Sequence, residues 1–459
     1  MPPRCHDATP TKAARARLYG RSATRTAAVS AADAVTATPT QVTTGVGREP
    51  HLLRNPPSRR QYVLLVVGFL TVAAVYAGLI VVGQRTETGT ARPSAPSGPT
   101  SALYVSPAGS DTNDGTERSP LATIQAALQK ATPGTVVNLA PGTYREQLTT
   151  VHDGAPGAPI TIKGPETGKE RSGRYRAVVY GTGRVFSIDN SYYTLDGFTI
   201  DGQEQLSNAP YPTTIQAADA FKDSVRRKVE DGRLVYVGAA DDSKDLTGIT
   251  ISNMFLNGAG GECVRLRNNA HDNLITDSVI QYCGMFGKGD DDERATYHNG
   301  EGVYIGTSPG SDDQPMHAND TSSHNRVVGN TIRTFGSECL DVKENAHDNL
   351  LEGNDCSANT ETTDFVGSNV ELRGYNNAVR NNKISDSAGY AVKIQSDGDE
   401  YDNGGNVIEG NQISAAAAEI LKIKAKAPQG RICGNEIIGQ PASVDGDFTG
   451  DLAAPCAAS

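Results

Sequence analysis

The chain has 459 residues, a formal net charge of −11, 49 glycines and no tryptophan. Its charge is unevenly distributed, because residues 1–60 carry +7 whereas residues 101–459 carry about −19. So acidic a domain lacks the net positive charge typical of proteins that bind the nucleic acid backbone, and nucleic acid is therefore not an expected partner.

The first hundred residues divide into a tail, an apolar span and a linker. Residues 1–60 are rich in Ala, Thr, Pro and Arg, which predicts a disordered tail. Residues 61–83 contain YVLLVVGFLTVAAVYAGLIVVG, an uncharged stretch long enough for a helix to cross a bilayer. We expect a signal-anchor helix, because a cleaved signal peptide has a shorter apolar region close to the amino terminus. Residues 84–101 are rich in Pro, Ser and Gly and predict a flexible linker.

Charges on either side of the span predict its orientation. The tail carries ten Lys and Arg against three acidic residues, whereas residues 84–100 carry two Arg and one Glu. Cytoplasmic flanks of membrane spans are enriched in Lys and Arg. We therefore expect a single-pass protein of the cell membrane, with a cytoplasmic amino terminus and an extracytoplasmic domain over residues 102–459.

Short strands repeat through the second half of the chain. An eight-residue frame recurs as NRVVGNTI (325–332), NLLEGNDC (349–356), NAVRNNKI (377–384) and NVIEGNQI (406–413), with weaker copies beginning at Asn273 and Gly430. Alternating segments such as CVRLRN and CLDVKE lie between the copies, so we expect two strand types to alternate. A period in the twenties that holds only strands and turns predicts a parallel β-helix, a solenoid of stacked coils. A propeller or sandwich would need hairpins, whose Asn-Gly and Asp-Gly turns are scarce.

Asparagine occupies one slot of this frame in five copies: Asn330, Asn354, Asn382, Asn411 and Asn435. Stacked Asn side chains can hydrogen-bond along the axis, and Asn tolerates the left-handed backbone of sharp turns. We therefore expect a structural ladder. The repeated letters Ala-His-Asp-Asn indicate turns in the same way, so His271 and His347 are expected to be turn residues rather than catalytic bases.

The most recognisable stretch is residues 103–148, LYVSPAGSDTNDGTERSPLATIQAALQKATPGTVVNLAPGTYREQL. Its segment TIQAALQKA places four apolar residues on one helical face, suited to covering the open end of a coil: Ile124, Ala127, Leu128 and Ala131. The stretch closely resembles the amino-terminal cap of secreted β-helix proteins of the pectate-lyase-like superfamily, including family nine polysaccharide lyases. This resemblance implies an all-β, right-handed parallel β-helix with an amino-terminal capping helix. It indicates a fold, not a reaction.

Six of the seven cysteines follow the span, and only Cys5 precedes it. An even number agrees with three disulfides in an oxidising compartment. The intervals of 20, 17 and 23 residues are each close to one coil, and stacked strands bring Cα atoms within the range of a disulfide. We therefore expect sequential pairs: Cys263–Cys283, Cys339–Cys356 and Cys433–Cys456.

Two stretches interrupt the repeat. Residues 203–246 contain AADAFKDSVRRKVED, which predicts an inserted helix, and residues 284–324 hold two polar loops. Insertions on such coils commonly wall a groove. The segment GKGDDDERATYHNGEG, residues 287–302, gathers acidic side chains that suit calcium, although it lacks the spacing of an EF-hand loop.

Outward side chains of the second strand type form two columns, because side chains alternate along a strand. The first column is Arg265, Tyr304, Asp341, Glu371, Lys393 and Lys422. The second column is Arg267, Gly306, Lys343, Arg373, Gln395 and Lys424. Pairing of opposite charges on stacked strands is the simplest interpretation. The concentration of long charged residues on this strand set favours a functional surface.

Polysaccharide lyase chemistry suits these columns. A lyase removes the proton beside a uronic acid carboxylate, so it needs a base and cations that hold the developing charge. Resemblance to the superfamily, whose lyases use Lys or Arg with calcium, implies Lys343 or Lys393 as base, Arg373 as carboxylate clamp, and Asp341 with Glu371 as Ca²⁺ ligands. The substrate contacts would be Arg265, Arg267, Tyr304 and Lys422.

Two other functions stay open. A glycoside hydrolase needs two carboxyl groups flanking the bond, and Asp341 and Glu371 are the available pair. A membrane-tethered coil without catalytic activity would bind cell-wall glycan or act as an adhesin. Each alternative has polysaccharide as its partner, and Ca²⁺ is the one cofactor that the sequence indicates.

Overall fold

The computed structural model describes residues 101–165, 173–239, 244–285, 300–309, 320–359, 367–398, 400–425, 427–446 and 448–457. The predicted tail and span, residues 84–100 of the predicted linker and the acidic stretch 290–293 lie outside these ranges. Within the described residues, no helix combines the length and apolar character that crossing a bilayer requires.

The described strands form a parallel β-helix, in which each coil adds one strand to each of three parallel sheets. The first sheet contains β1 (Ala102–Val105), β2 (Val136–Leu139), β5 (Ile160–Lys163), β8 (Tyr193–Asp196), β11 (Thr250–Ser252), β14 (Leu274–Thr276), β17 (Arg326–Val328), β20 (Leu350–Glu352), β23 (Ala378–Arg380), β26 (Val407–Glu409) and β29 (Ile432–Cys433). The second contains β3 (Gly142–Arg145), β6 (Ala177–Tyr180), β9 (Thr199–Asp201), β12 (Phe255–Asn257), β15 (Val279–Gln281), β18 (Thr331–Arg333), β21 (Asp355–Ser357), β24 (Lys383–Ser385), β27 (Gln412–Ser414) and β30 (Glu436–Ile438). The third contains β4 (Leu148–Thr149), β7 (Gly183–Ile188), β10 (Gly232–Val237), β13 (Val264–Leu266), β16 (Val303–Ile305), β19 (Leu340–Val342), β22 (Ser368–Leu372), β25 (Tyr390–Gln395), β28 (Leu421–Lys424) and β31 (Val444–Gly446).

Each copy of the eight-residue frame holds two strands rather than one. In NRVVGNTI, Gly329 and Asn330 form a corner between β17 of the first sheet and β18 of the second. The first corner residue has a left-handed backbone, with φ of 68° at Gly329 and 55° at Asn381. The expectation of two alternating strand types is therefore wrong, because this short corner divides the frame and three strand types alternate.

The asparagine ladder predicted at this corner is confirmed. Asn354 Nδ2 donates to Val327 O at 2.8 Å and to Asn382 Oδ1 at 3.0 Å. Asn354 Oδ1 accepts from the Asn330 backbone N–H at 3.0 Å and from Asn330 Nδ2 at 3.1 Å. A second ladder, which the sequence analysis did not predict, precedes the first sheet: Asn273, Asn325, Asn349, Asn377 and Asn406.

The two repeated histidines lie beside the second ladder, at the turn before the first sheet. His271 Nδ1 is 2.8 Å from Asp272 Oδ2, and His347 Nδ1 is 2.7 Å from Asp348 Oδ2. Both aspartates have left-handed backbones. The prediction that these histidines are turn residues is confirmed.

Helix α1 (Ile124–Lys130) packs against β1, β2 and β4. Thr123 is its N-cap, since its hydroxyl accepts from the Ala126 N–H. Glu146 completes the helix start by accepting from the Ile124 and Gln125 N–H groups at 2.9 Å each. The apolar face that the sequence predicts is fully buried.

Three disulfides join the cysteines in the predicted sequential order. The Cα atoms are 5.4 Å apart in Cys263–Cys283, 5.9 Å apart in Cys339–Cys356 and 5.2 Å apart in Cys433–Cys456. In each of the first two pairs, a cysteine directly before a third-sheet strand joins one that lies within or just after the second-sheet strand of the next coil. The third pair ties the carboxyl end to β29.

The inserted helix α2 (Ile215–Val225) follows a 3₁₀ turn at Glu204–Leu206. Phe221 of α2 lies against the coil: its ring centroid is 6.0 Å from that of Tyr282, and the Tyr282 ring stacks on Phe335 with centroids 4.6 Å apart. The insertion therefore covers the corner between the second and third sheets.

Lys222 on α2 should destabilise the folded chain in a pH-dependent way. It is 1% exposed, and burial lowers its pKa to about 7 against the charge of Asp219. An unfolded lysine has a pKa of about 10.4, so the folded state binds this proton less tightly than the unfolded state does. The resulting loss of folding free energy is complete below about pH 7. It decreases as the pH rises towards about 10.4, where the unfolded lysine also loses its proton. Lys222→Met should therefore raise the melting temperature most in mildly acidic buffer, by about 2–4 °C for each kcal/mol gained.

Thermal unfolding across this pH range tests the prediction, with Lys228→Met as the matched control at an exposed lysine nearby. The control should change the melting temperature little at any pH. An equal gain for Lys222→Met in acidic and strongly alkaline buffer would contradict the titration of Lys222.

Candidate functional site

The charged face is the outward side of the third sheet, defined by the two columns given above. Strand register confirms the first column, because successive Cα partners run from Arg265 through Tyr304, Asp341, Glu371 and Lys393 to Lys422. Backbone hydrogen bonds agree for the second: Lys343 N–H donates to Ile305 O and Arg373 N–H to Val342 O, each at 2.8 Å. Residues distant in sequence thus lie on adjacent coils.

Tyr304 is the centre of the charged face. The Arg265 guanidinium and the Lys343 ammonium each lie 4.6 Å from its ring centroid, and the Arg267 guanidinium lies 5.6 Å away. Its side chain is buried. Three cations on one aromatic ring attract the electron-rich ring face and concentrate positive charge there.

The carboxylates of the two columns are paired with cations. Lys343 Nζ contacts Asp341 Oδ2, and Glu371 Oε1 is 3.0 Å from Lys393 Nζ and 3.1 Å from Arg373 Nε. Burial opposes ionisation of Glu371, but Arg373, Lys393 and Lys343 outweigh it and lower its pKa. Asp341 and Glu371 therefore do not fit the expected calcium pair, because internal cations already hold both.

Lys343 does not have the lowered pKa expected of a lysine base. Burial and the Arg373 charge act in that direction, but Asp341, Tyr304 and Glu301 overcome them and raise the pKa. Lys343 is thus an ammonium ion at neutral pH. This environment does not support the expected role of Lys343 as a base. It supports a role in holding negative charge.

Two carboxyl groups that were not individually predicted as site residues adjoin Asp341. Glu301, Glu338 and Asp341, here called the acidic trio, bring carboxylate oxygens within 4.8 Å of one another at exposures of 4%, 6% and 1%. Burial, together with the charges of Glu262 and Asp341, raises the pKa of Glu301 to about 8. A carboxyl group of this kind holds a proton at neutral pH.

A signal for the acidic trio was present in the repeated letters. Glu262, Glu301 and Glu338 each stand three residues before a member of the first column, twice in Glu-Cys and once in Glu-Gly. Glu262 is held differently, since its carboxylate pairs with Arg233 at 2.6 Å and Arg265 at 3.1 Å. Burial opposes ionisation of Glu262, but the charges of Arg265 and Arg233 outweigh it and lower the Glu262 pKa.

Several buried polar atoms of the charged face have no hydrogen-bond partner in the described part of the chain. They include Glu301 Oε2, Asp341 Oδ1, and Nε and Nη2 of Arg267. Buried polar groups are nearly always satisfied in folded proteins, so exceptions mark places where a ligand could supply the partner. The charged face therefore presents both acceptors and donors to a polar ligand.

Comparisons with known proteins agree with this fold. The family described as a protein of unknown function (DUF1565) matches residues 107–185. Uncharacterized protein YwoF from Bacillus subtilis (strain 168) is 37% identical over 108 residues, which cover 24% of this chain and about a fifth (21%) of that relative. An alginate lyase from Paenibacillus sp. str. FPU-7 has a TM-score of 0.53 at 18% identity, over 70% of this chain and 95% of that chain. Pectate lyase Pel9A has a TM-score of 0.46 at 16% identity, over 75% and 78% of the two chains. The likeness to the alginate lyase shows the shared β-helix fold.

Proposed function

We propose that this β-helix acts on polysaccharide through its charged face, as a lyase-type enzyme on glycans that contain uronic acid. The observation that carries the proposal is the buried group of ion pairs around Tyr304. Burying charges costs desolvation and adds little net stability, so such a group needs another reason to exist. Clusters of shifted pKa values are typical of catalytic sites. The fold shared with an alginate lyase supports the same reading.

The proposed roles follow from charge and exposure. Lys343 and Arg373 would hold the carboxylate of the sugar and the charge that develops when its neighbouring proton leaves. Lys393 is the proposed base, because its side chain is 16% exposed and Lys343 is held as an ammonium ion. The proposed substrate contacts are Arg265, Arg267, Tyr304 and Lys422.

A second candidate is hydrolysis, which the acidic trio favours. A glycosidase needs one carboxylic acid that stays protonated at neutral pH beside a second carboxylate. Glu301, whose pKa is about 8, and Asp341 meet that description better than the expected pair of Asp341 and Glu371. Glu371 is already neutralised by two cations.

A substrate screen separates these functions. The segment from residue 101 onward would be incubated with alginate, polygalacturonate, rhamnogalacturonan and neutral glycans, each with calcium and with a chelator. Unsaturated products that absorb ultraviolet light would establish the lyase, and new reducing ends without that absorbance would establish the hydrolase. Retention of a glycan without either product would reject catalysis and leave a binding module or adhesin.

We also propose that residues 61–83 anchor the domain in the cell membrane, with residues 1–60 in the cytoplasm and α1 capping the first coil. The asymmetry of Lys and Arg around the span supports this orientation, and the three disulfides suit an oxidising compartment. Alkaline phosphatase, which is active only outside the cytoplasm, can be fused after residue 101. An inactive, stably produced fusion would refute the orientation.

A further inference from the structure

We propose that Lys343 is the resident cation of the acidic trio: its ammonium group takes the place of a divalent metal ion, so the trio binds no metal until Lys343 is removed. This departs from the calcium dependence that the resemblance implies. It deepens the proposed function by stating how the charge of the site is balanced, and it is tested by metal binding rather than by catalysis.

The geometry is that of a cation site with an ammonium ion seated beside it. Three carboxylate oxygens within 4.8 Å of one another, from Glu301, Glu338 and Asp341, match the ligand type that hard divalent ions prefer. Lys343 Nζ contacts Asp341 Oδ2 and lies over the Tyr304 ring, 4.6 Å from its centroid. Its side chain is 7% exposed. The ammonium group is therefore fixed between an acid and an aromatic face.

Charge balance explains why the wild-type site should exclude a metal ion. Among the described residues on the charged face and directly beside it, the buried carboxyl groups are Glu262, Glu301, Glu338, Asp341, Glu344 and Glu371. The cations beside them are Arg233, Arg265, Arg267, Lys343, Arg373 and Lys393. Glu301, one of the six carboxyl groups, holds a proton at neutral pH, so the cations already offset the carboxylates. A divalent ion would add uncompensated positive charge to a buried region, which is costly.

Removing Lys343 should turn the acidic trio into a metal site. Glu301 Oε2 and Asp341 Oδ1 already lack hydrogen-bond partners within the described residues, and Asp341 Oδ2 would lose its ammonium contact. Without Lys343 the charged face loses one positive charge and has an opening beside three oxygen ligands. A hard cation would restore both the charge and the contacts.

The test is calorimetric titration of Ca²⁺ into the full chain in detergent. Wild type and the control Lys424→Met, an exposed lysine on the same sheet, should show no binding up to millimolar Ca²⁺. Lys343→Met should bind one Ca²⁺ at least tenfold more tightly than wild type, and the double variant Lys343→Met/Glu301→Gln should lose that gain. Saturable binding of one Ca²⁺ by wild type, lost in Glu301→Gln, would overturn the proposal.

A luminescence measurement covers the case in which Lys343→Met folds poorly. The chain has no tryptophan, so tyrosine is its strongest sensitiser of bound Tb³⁺, and Tyr304 adjoins the site. The milder variant Lys343→Gln should give tyrosine-sensitised Tb³⁺ emission that Ca²⁺ competes away, whereas wild type should not. A folded Lys343→Gln chain without emission would refute the proposal. Failure to cleave any polysaccharide would leave this result unchanged, because it reads metal binding alone.

Discussion

Alanine at Lys393 should lower the rate of polyuronate cleavage by about 10²–10⁴-fold, the usual contribution of a positioned general base. Lys393 lies directly above Glu371 in the first column, with Nζ 3.0 Å from Glu371 Oε1, and it is more exposed than Lys343. Substrate can therefore reach it without unpacking the coil. Initial rates on alginate and polygalacturonate, followed by the absorbance of the unsaturated product, measure the effect.

Lys383→Ala is the matched control for this experiment. Lys383 lies in β24 of the second sheet, outside the charged face, where it is exposed. Its loss should leave the rate within about twofold of wild type, since an isolated surface charge contributes little. Full activity in Lys393→Ala, with the melting temperature unchanged, would show that the base lies elsewhere.

Alanine at Asn354 should strongly destabilise the coil. Its side chain serves three neighbours: Val327 O, Asn382 Oδ1 and the amide groups of Asn330. Each buried group left without a partner costs on the order of 1–3 kcal/mol, so the total should reach several kcal/mol. Urea unfolding followed by circular dichroism measures this change.

Gln412→Ala provides the comparison for that loss. Its side-chain amide donates one hydrogen bond, 2.9 Å long, to Glu436 at an exposed position. Exchange of this bond for water should cost no more than about 0.5 kcal/mol. If Asn354→Ala unfolds at the same urea concentration as Gln412→Ala, the ladder does not stabilise the coil.

Much of the fold could be predicted because it is encoded in short periods. The alternation of apolar and polar residues within CLDVKE determines which side chains face outward, and the frame spacing determines the coil that each joins. The order of the first column and the three disulfides follow from those two facts alone. Both were correct because stacking in register requires no information beyond the repeat.

The features that escaped prediction depend on neighbours that no local pattern shows. The corner at Gly329 and Asn330 is so short that the frame reads as one strand. Lys343 was expected as a possible base, whereas Asp341, two residues earlier on the same face, holds its proton in the folded chain. Glu301 appears functional only once Glu338 and Asp341 are seen to converge on it.

The corner between the first and second sheets also bears on how such a surface can diversify. From β8 onward this corner always has two residues, whereas the segments that enter the third sheet range from the short Ser385–Tyr390 link to the long Asp201–Gly232 excursion. The constant two-residue corner therefore sets the rise from coil to coil. The segments that enter the third sheet, beside the charged face, vary freely in length. Loops grafted at those variable edges would change what the surface recognises while the scaffold keeps its pitch.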